Sequence, residues 1–222
     1  MLKEFALYCP RPLSESRAEM ELEARSRSIM SSVSEYLKPR IRTKDFWKVA
    51  INLNGKNQLQ HMNVSGGGVL YYNAPFDIKN FLSKSITDQK SMLMLFIENT
   101  LHEIFKNANL DVKRLDGLRE FIIERNYKSV FLGPRSRYNG LDAYVLCEQK
   151  FEEAEIFIVL KKGKKEIERY SLLVSSPEEF VFDVFLNKLE WLSENEVKLE
   201  ASNGENYVIN RLELEQKGSE SV

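Results

Sequence analysis

The sequence has little glycine, proline, cysteine or histidine, and each shortage excludes a class of protein. Glycine and proline together account for 16 of 222 residues, which is below average usage and excludes collagen-like, linker-like and wholly disordered chains. The two cysteines, Cys9 and Cys147, lie far apart in the sequence. Such sparse usage predicts two free thiols in a reducing compartment.

Long hydrophobic runs are also missing. The longest are Met92–Ile97 and Ile156–Leu160, far short of the roughly 18 apolar residues that a membrane-spanning helix needs. Glu4 and Pro10 interrupt the first residues, so they lack the apolar stretch of a signal peptide. We therefore expect a cytoplasmic protein with no membrane partner.

Metal and cofactor motifs are absent. The soft ligands Cys9, His61, His102 and Cys147 lack the close pair spacing of a zinc site. His102-Glu103 begins like a zinc-protease motif, but the residue one turn later is Lys106. The sequence thus predicts neither a metal nor a cofactor. Glu98 precedes His102 by one turn, so a Glu–His general base remains open beside a purely structural pairing.

The three glycines at 66–68 do not form a phosphate loop. Phosphate loops lead directly into a helix, whereas these glycines precede Val69–Tyr72, which has a strand pattern. A bulge or a mobile hairpin explains them better.

The periodicity of the remaining chain predicts an α+β fold with antiparallel β-hairpins packed with about four helices. Asn54-Gly55 and Asn203-Gly204 are strong hairpin signals. We expect helices near 14–37, 77–83, 87–107, 112–126 and 176–189, the last buried on more than one face. We expect strands near 3–9, 46–53, 57–64, 69–72, 128–132, 141–149, 154–162, 165–174, 196–201 and 206–213, with a turn-rich loop at 133–140.

This pattern predicts one α+β domain over 1–215, followed by a frayed tail at 216–222. Two lobes, 1–110 and 111–215, remain an alternative. The oligomeric state is left open by the sequence.

Charge is the most informative property of the sequence. The formal net charge is −1, but residues 1–150 carry 23 basic and 17 acidic side chains, and residues 151–222 carry 9 and 16. The first part is therefore +6 and the rest is −7. A sign difference of this kind is typical of electrostatic partner recognition, although mixing of the charges in the fold would also account for it.

These observations favour a non-enzymatic protein that recognises another protein, with a basic partner as one form. A bacterial toxin-neutralising immunity protein is a concrete example, because an acidic surface can mask a basic active site. The acidic candidates for partner binding are Glu152, Glu153, Glu155, Glu194, Glu196 and Glu200.

The alternative is an enzyme or a nucleic-acid-binding protein that uses the Arg135–Tyr138 loop with His102. Arg135, Arg137 and Tyr138 combine cations with an aromatic ring, as in phosphate contact plus stacking. A second basic cluster surrounds the end of the first long helix. Its members are Lys38, Arg40, Arg42, Lys44 and Lys48, while the lysines at 161–165 resemble a solubilising hairpin tip. A neutral overall charge makes nucleic acid the less favoured partner.

Overall fold

The computed structural model describes residues 2–9, 17–39, 41–54, 61–177 and 183–211. Helices and antiparallel sheets both occur, which confirms the predicted α+β class, and the described part of the chain has four α-helices. The chain divides into two compact units. Unit 1 is Met1–Ser129 with Lys150–Glu152, and unit 2 is Val130–Gln149 with Glu153–Val222. The choice between one domain and two lobes stays a prediction.

Unit 1 is a four-stranded sheet with helices packed on one face. The strands are β1 (Glu4–Tyr8), β2 (Lys48–Asn54), β3 (His61–Val64) and β4 (Val69–Pro75), in the order β1-β2-β4-β3. The helices are α1 (Arg17–Leu37), α2 (Ile78–Leu82), α3 (Ile86–Asn107) and α4 (Leu118–Glu124), with a 3-10 turn at Val112–Leu115.

The hairpin predicted at Asn54-Gly55 is wrong. Strand β2 pairs in parallel with β1 on one side and with β4 on the other, while β3 pairs antiparallel with β4. The Val49–Ile51 run explains the difference, because continuous apolar residues are typical of a central parallel strand. Residues 55–60, where the turn was expected, lie outside the described residues.

The three glycines form the turn between β3 and β4. Gly68 has a φ of +72°, and a Cβ there would lie 3.0 Å from the Trp47 ring. The Trp47 indole N–H donates to the Gly67 carbonyl at 2.9 Å. Close approach of the indole and positive φ together account for glycine at position 68.

Two helix predictions are refined by capping geometry. Helix α3 is capped by Ser85, whose hydroxyl accepts from the Asp88 N–H, rather than by Thr87 or Asp88. The helix expected over 112–126 is divided at Gly117, whose φ of +82° separates the 3-10 turn from α4. Leu115, Leu118 and Ile122 are buried, as the helical spacing indicated.

Unit 2 consists of two antiparallel sheets. The four-stranded sheet contains β5 (Ser129–Tyr138), β6 (Leu141–Gln149), β7 (Ala154–Lys162) and β8 (Lys165–Ser175), in that order. The three-stranded sheet has the order β11 (Asn206–Asn210), β10 (Glu196–Glu200) and β9 (Lys188–Trp191). A shared apolar core joins them, with Val145 and Ile158 from one sheet and Val197 and Leu199 from the other.

Two sequence predictions in unit 2 are wrong. The loop expected at 133–140 is strand as far as Tyr138, with a turn only at Asn139-Gly140, where both φ angles are positive. Gly133 and Pro134 suggested a loop, but proline is tolerated on an edge strand such as β5. The helix expected to reach Leu189 ends earlier, because β9 begins at Lys188 and Leu189 pairs with Leu199. Residues 178–182 of that prediction lie outside the described residues.

Candidate functional site

The four-stranded sheet of unit 2 has a basic end and an acidic end. In the β6–β7 register Leu141 faces Lys162, so the β5–β6 turn and the β7–β8 turn lie at the same end of the sheet. The cations Arg135, Arg137, Lys161, Lys162, Lys164 and Lys165 belong to this end. At the opposite end Glu148 faces Glu155 directly across β6 and β7.

A shallow depression of about 270 Å³ opens near the basic end. It is lined by Leu132, Gly133, Arg135, Asp142, Tyr144, Lys161 and Gly163. Along β6 the side chains alternate between the two faces of the sheet. Ala143 and Val145 point into the core, so Asp142 and Tyr144 project from the opposite face. The volume of the depression is close to the lower limit of the roughly 300–1,000 Å³ typical of small-molecule sites.

Two arginines converge on one carboxylate in this depression. The guanidinium of Arg135 lies 2.8 Å from one oxygen of Asp142, and its Nε donates to the other at 3.3 Å. The Nε of Arg137 is 3.8 Å from the same carboxylate. Asp142 has a side-chain exposure of 11%, whereas Arg135 and Arg137 are 63% and 71% exposed. The carboxylate therefore orients the arginines and leaves most of their surface facing solvent.

Lys161 and Tyr144 complete the wall of the depression. The Lys161 ammonium lies 4.9 Å from the centre of the Tyr144 ring, within the range of a cation–π contact. Leu132 is 71% exposed beside them. Three cations thus surround one carboxylate next to exposed apolar surface. Of these residue types, arginine and tyrosine are enriched in protein interfaces.

Tyr138, predicted as a stacking residue beside the arginines, has a different neighbour. Its ring stacks on Trp191 with centroids 6.1 Å apart, and it does not line the depression. Sequence reasoning missed Asp142 and Tyr144, because their proximity to Arg135 depends on the pairing of β5 with β6. It also assigned Lys161 only to a solubilising tip. A hairpin centred on Asn139-Gly140 was the signal that would have brought these side chains together.

The acidic residues predicted to bind a partner lie at several places. Glu152 belongs to unit 1, whereas Glu153 and Glu155 belong to unit 2. Glu155 accepts from the Ser171 hydroxyl at 3.1 Å, and Glu200 lies 3.7 Å from the Lys198 ammonium. The carboxylate of Glu196 accepts from Asn210 at 3.4 Å. Glu194 is exposed in the turn between β9 and β10. The described contacts do not gather these six carboxylates into one cluster.

The histidines take part in no described catalytic arrangement. Both His61 and His102 are exposed and lie in unit 1, whereas Arg135 and Arg137 lie in unit 2. The Glu98–His102 pair left open by the sequence is not formed, because Glu98 instead pairs with Arg119 at 2.6 Å. Among the described residues, no group of three or more metal-ligating side chains lies close enough to hold a metal ion.

Both cysteines are buried free thiols, Cys9 in unit 1 and Cys147 in unit 2. Burial, together with repulsion from the carboxylates of Glu23 and Glu19, raises the pKa of the Cys9 thiol to about 12. Burial has the same effect on the pKa of Cys147, again to about 12, with added repulsion from Asp183 and Glu148. Because the thiolate is the nucleophilic form, neither group is activated for attack.

The charge gradient of the sequence follows the two units closely. Unit 1 carries 21 basic and 16 acidic side chains, a formal +5, and unit 2 carries 11 and 17, a formal −6. The basic depression is therefore a local reversal of sign within an acidic unit.

No family model, curated protein or solved structure matches this chain. No helix in the described part of the chain is both long and apolar enough to cross a membrane. The cytoplasmic location stays a prediction.

Proposed function

We propose that this chain is a non-enzymatic recognition protein whose unit 2 binds an acidic segment of another protein in the basic depression. The observation that carries the proposal is the convergence of Arg135 and Arg137 on Asp142. A guanidinium held in place by a neighbouring carboxylate loses less conformational entropy when it binds. Its remaining N–H groups are free to donate to a carboxylate of the partner.

The surroundings of the arginines support a protein partner. Arginine and tyrosine are enriched among the residues that dominate interface energetics, and here Tyr144 lies beside the exposed side chain of Leu132. The lysines at 162, 164 and 165 make no ion pair with any described residue. They extend the positive surface beyond the depression and would accelerate association with an acidic partner.

The experiment is affinity capture from cells that contain the native protein, using the full chain as bait. The double variant Arg135→Ala/Arg137→Ala is compared with Arg114→Ala/Lys188→Ala. The control removes two exposed cations that also have a carboxylate neighbour, Asp111 and Glu190 respectively. We expect the depression variant to lose a partner that the control retains, with a Kd for the purified partner raised at least 10-fold. Equal retention by both variants would refute the proposal.

A second form of recognition rests on the formal charge of −6 in unit 2. In this form, which includes the toxin-neutralising role, acidic side chains such as Glu194 and Glu200 contact a basic partner. Reversal of rim charges changes mainly the association rate. Replacing Glu194 and Glu200 with lysine should slow association with a captured basic partner about 10-fold at low salt, and an unchanged rate would count against this form.

A further inference from the structure

The unit 1 sheet has a second face, opposite the helices, whose side chains are aligned in rows across the strands. None of these residues belongs to the depression in unit 2. The helices pack on the face that carries Phe5, Ile51 and Tyr72. Strand alternation places the intervening residues on the other face. The register aligns Ala6, Ala50, Tyr71 and Asn63 in one row, and Tyr8, Asn52, Asn73 and His61 in the next.

The second row contains two asparagine amides that are hydrogen-bonded to each other. The Asn52 amide N–H donates to the Asn73 carbonyl oxygen at 3.1 Å. This bond leaves the Asn52 oxygen as a free acceptor and the Asn73 amide nitrogen as a free donor among the described residues. Each of these atoms can therefore bond to a base edge, as asparagine side chains do in protein–nucleic acid complexes.

Aromatic rings flank this amide pair on a floor of small side chains. Tyr8 lies beside Asn52 on β1, and Tyr71 lies two residues before Asn73 on β4. Ala6 and Ala50 separate the two tyrosines. Two strand spacings of about 4.8 Å, combined with an offset of two residues at about 3.3 Å each, place the Cα atoms of the two tyrosines roughly 12 Å apart.

Two exposed cations lie in the segment before β2. Arg42 and Lys44 are exposed in the segment that leads into β2. Lys48 lies on the same face at the amino end of β2, but its ammonium already pairs with the Glu4 carboxylate at 2.6 Å and lies 5.4 Å from the centre of the Tyr8 ring. These residues belong to the basic cluster noted in the sequence, of which Arg40 lies outside the described residues. Unit 1 as a whole carries a formal +5, which is complementary to a polyanion.

We propose that this face, formed by Tyr8, Tyr71, Asn52 and Asn73 with the exposed cations Arg42 and Lys44, binds single-stranded nucleic acid. The bases stack on the tyrosines, one base edge pairs with the two amides, and the cations contact phosphates. The proposal is independent of the proposed function, because its residues lie in unit 1 and the depression lies in unit 2.

The test is fluorescence anisotropy of a labelled 12-nucleotide single-stranded DNA with the full chain. Tyr71→Ala is compared with Tyr138→Ala, because these tyrosines have similar exposures of 36% and 38% and lie in different units. Loss of one stacking ring should raise Kd about 5- to 100-fold. Tyr138→Ala should change Kd less than 2-fold.

Two further variants separate stacking and pairing from general loss of structure. Tyr71→Phe keeps the ring and should bind within 3-fold of the wild type. Asn73→Asp removes the free donor while keeping the size of the side chain, and it should raise Kd at least 5-fold. Thermal unfolding of every variant shows whether unit 1 remains folded.

Salt dependence tests the role of the cations. Each phosphate contact to a single strand contributes a slope of about −0.7 to the plot of log K against log salt concentration. Arg42→Ala/Lys44→Ala should therefore make the slope less negative by about 1.4.

Four results with the wild-type chain and the tyrosine variants would overturn the proposal, and a fifth concerns the unit 2 arginines. The four are no binding by the wild-type chain, equal loss with Tyr71→Ala and Tyr138→Ala, equal affinity for double-stranded DNA, and displacement of the oligonucleotide by a 12-residue polyglutamate peptide. The last result would indicate a nonspecific anion surface. Loss of binding through Arg135→Ala/Arg137→Ala alone would assign the nucleic acid to unit 2 and would also refute the proposal.

Discussion

Gly133 is the position where a single added carbon should most directly test the packing of unit 2. A Cβ at this site would lie 2.5 Å from Cδ2 of Leu186 and 3.0 Å from Cβ of Val145. Both distances are well below the 3.5–4.0 Å at which carbon atoms attract. Leu186 can rotate, but the Val145 Cβ is attached to the backbone of β6, so Gly133→Ala requires a shift of one strand.

The cost follows from these contacts. Overpacking of a well-packed core typically costs about 1–3 kcal/mol, and the lower backbone entropy of unfolded alanine returns about 0.4–1 kcal/mol. We expect Gly133→Ala to lower the free energy of unfolding by about 1–2 kcal/mol. Unit 2 spans 90 residues, so the Tm of its transition should fall by roughly 4–16 °C.

Urea unfolding provides the assay, because the two tryptophans, Trp47 and Trp191, lie in different units. In a Trp47→Phe background the fluorescence of Trp191 follows unit 2. Adding Leu186→Ala removes the shorter contact, and the double-mutant cycle should show about 1 kcal/mol of coupling. Gly67→Ala is the control, measured by circular dichroism, because its new Cβ meets nothing closer than 3.8 Å. The reasoning is refuted if the free energy of unfolding of Gly133→Ala lies within about 0.3 kcal/mol of the wild-type value, which is roughly the measurement error. Absence of coupling to Leu186 would also refute it.

Two further perturbations test other contacts. Burial alone would raise the pKa of Glu168, but hydrogen bonds from Arg211 and Tyr170 lower it overall. The stabilisation by this carboxylate should therefore be complete above its unfolded pKa of about 4.3, and it should be lost as the pH falls through the lower folded pKa. In urea unfolding, Glu168→Gln should lower the free energy of unfolding by about 1–2 kcal/mol at pH 7 and should have no effect near pH 2. Gly117→Ala should destabilise unit 1 by about 1–2 kcal/mol, read from Trp47 fluorescence, since its φ is +82° and its Cβ would lie 3.0 Å from the Tyr36 hydroxyl. An unchanged wild-type-minus-variant difference between pH 7 and pH 2, or a neutral Gly117→Ala, would contradict the respective argument.

Local patterns predicted much of the secondary structure. The alternation in β6, β7 and β8 and the Asn203-Gly204 turn gave the antiparallel strands of unit 2 with nearly correct bounds. Helix α2 begins after Asp77, whose side chain accepts from the Asn80 N–H, as a capping residue would indicate. These features depend on contacts within a few residues.

Pairings between distant segments were not predictable in the same way. Strand β2 pairs with β1 on one side and with β4 on the other. The Asn-Gly turn signal at its end depends only on local sequence, so it could not show that both edges of β2 are occupied by other strands. Strand β9 was missed because the aromatic run before it has a helical pattern. The sequence indicated Arg135 and Arg137 as a pair of cations, but their common carboxylate, Asp142, became apparent only from the hairpin that brings β5 and β6 together.

Each unit contains one buried thiol, which can serve as a chemical probe of local opening in that unit. Cys9 and Cys147 are shielded from solvent, and burial raises the pKa of each to about 12. A thiol-specific reagent can therefore react with either one only when its surroundings open transiently. The two labelling rates, followed in one sample by mass spectrometry of the peptides, would measure the opening equilibria of the two units separately. A ligand that protects only Cys9 or only Cys147 would thereby identify the unit to which it binds.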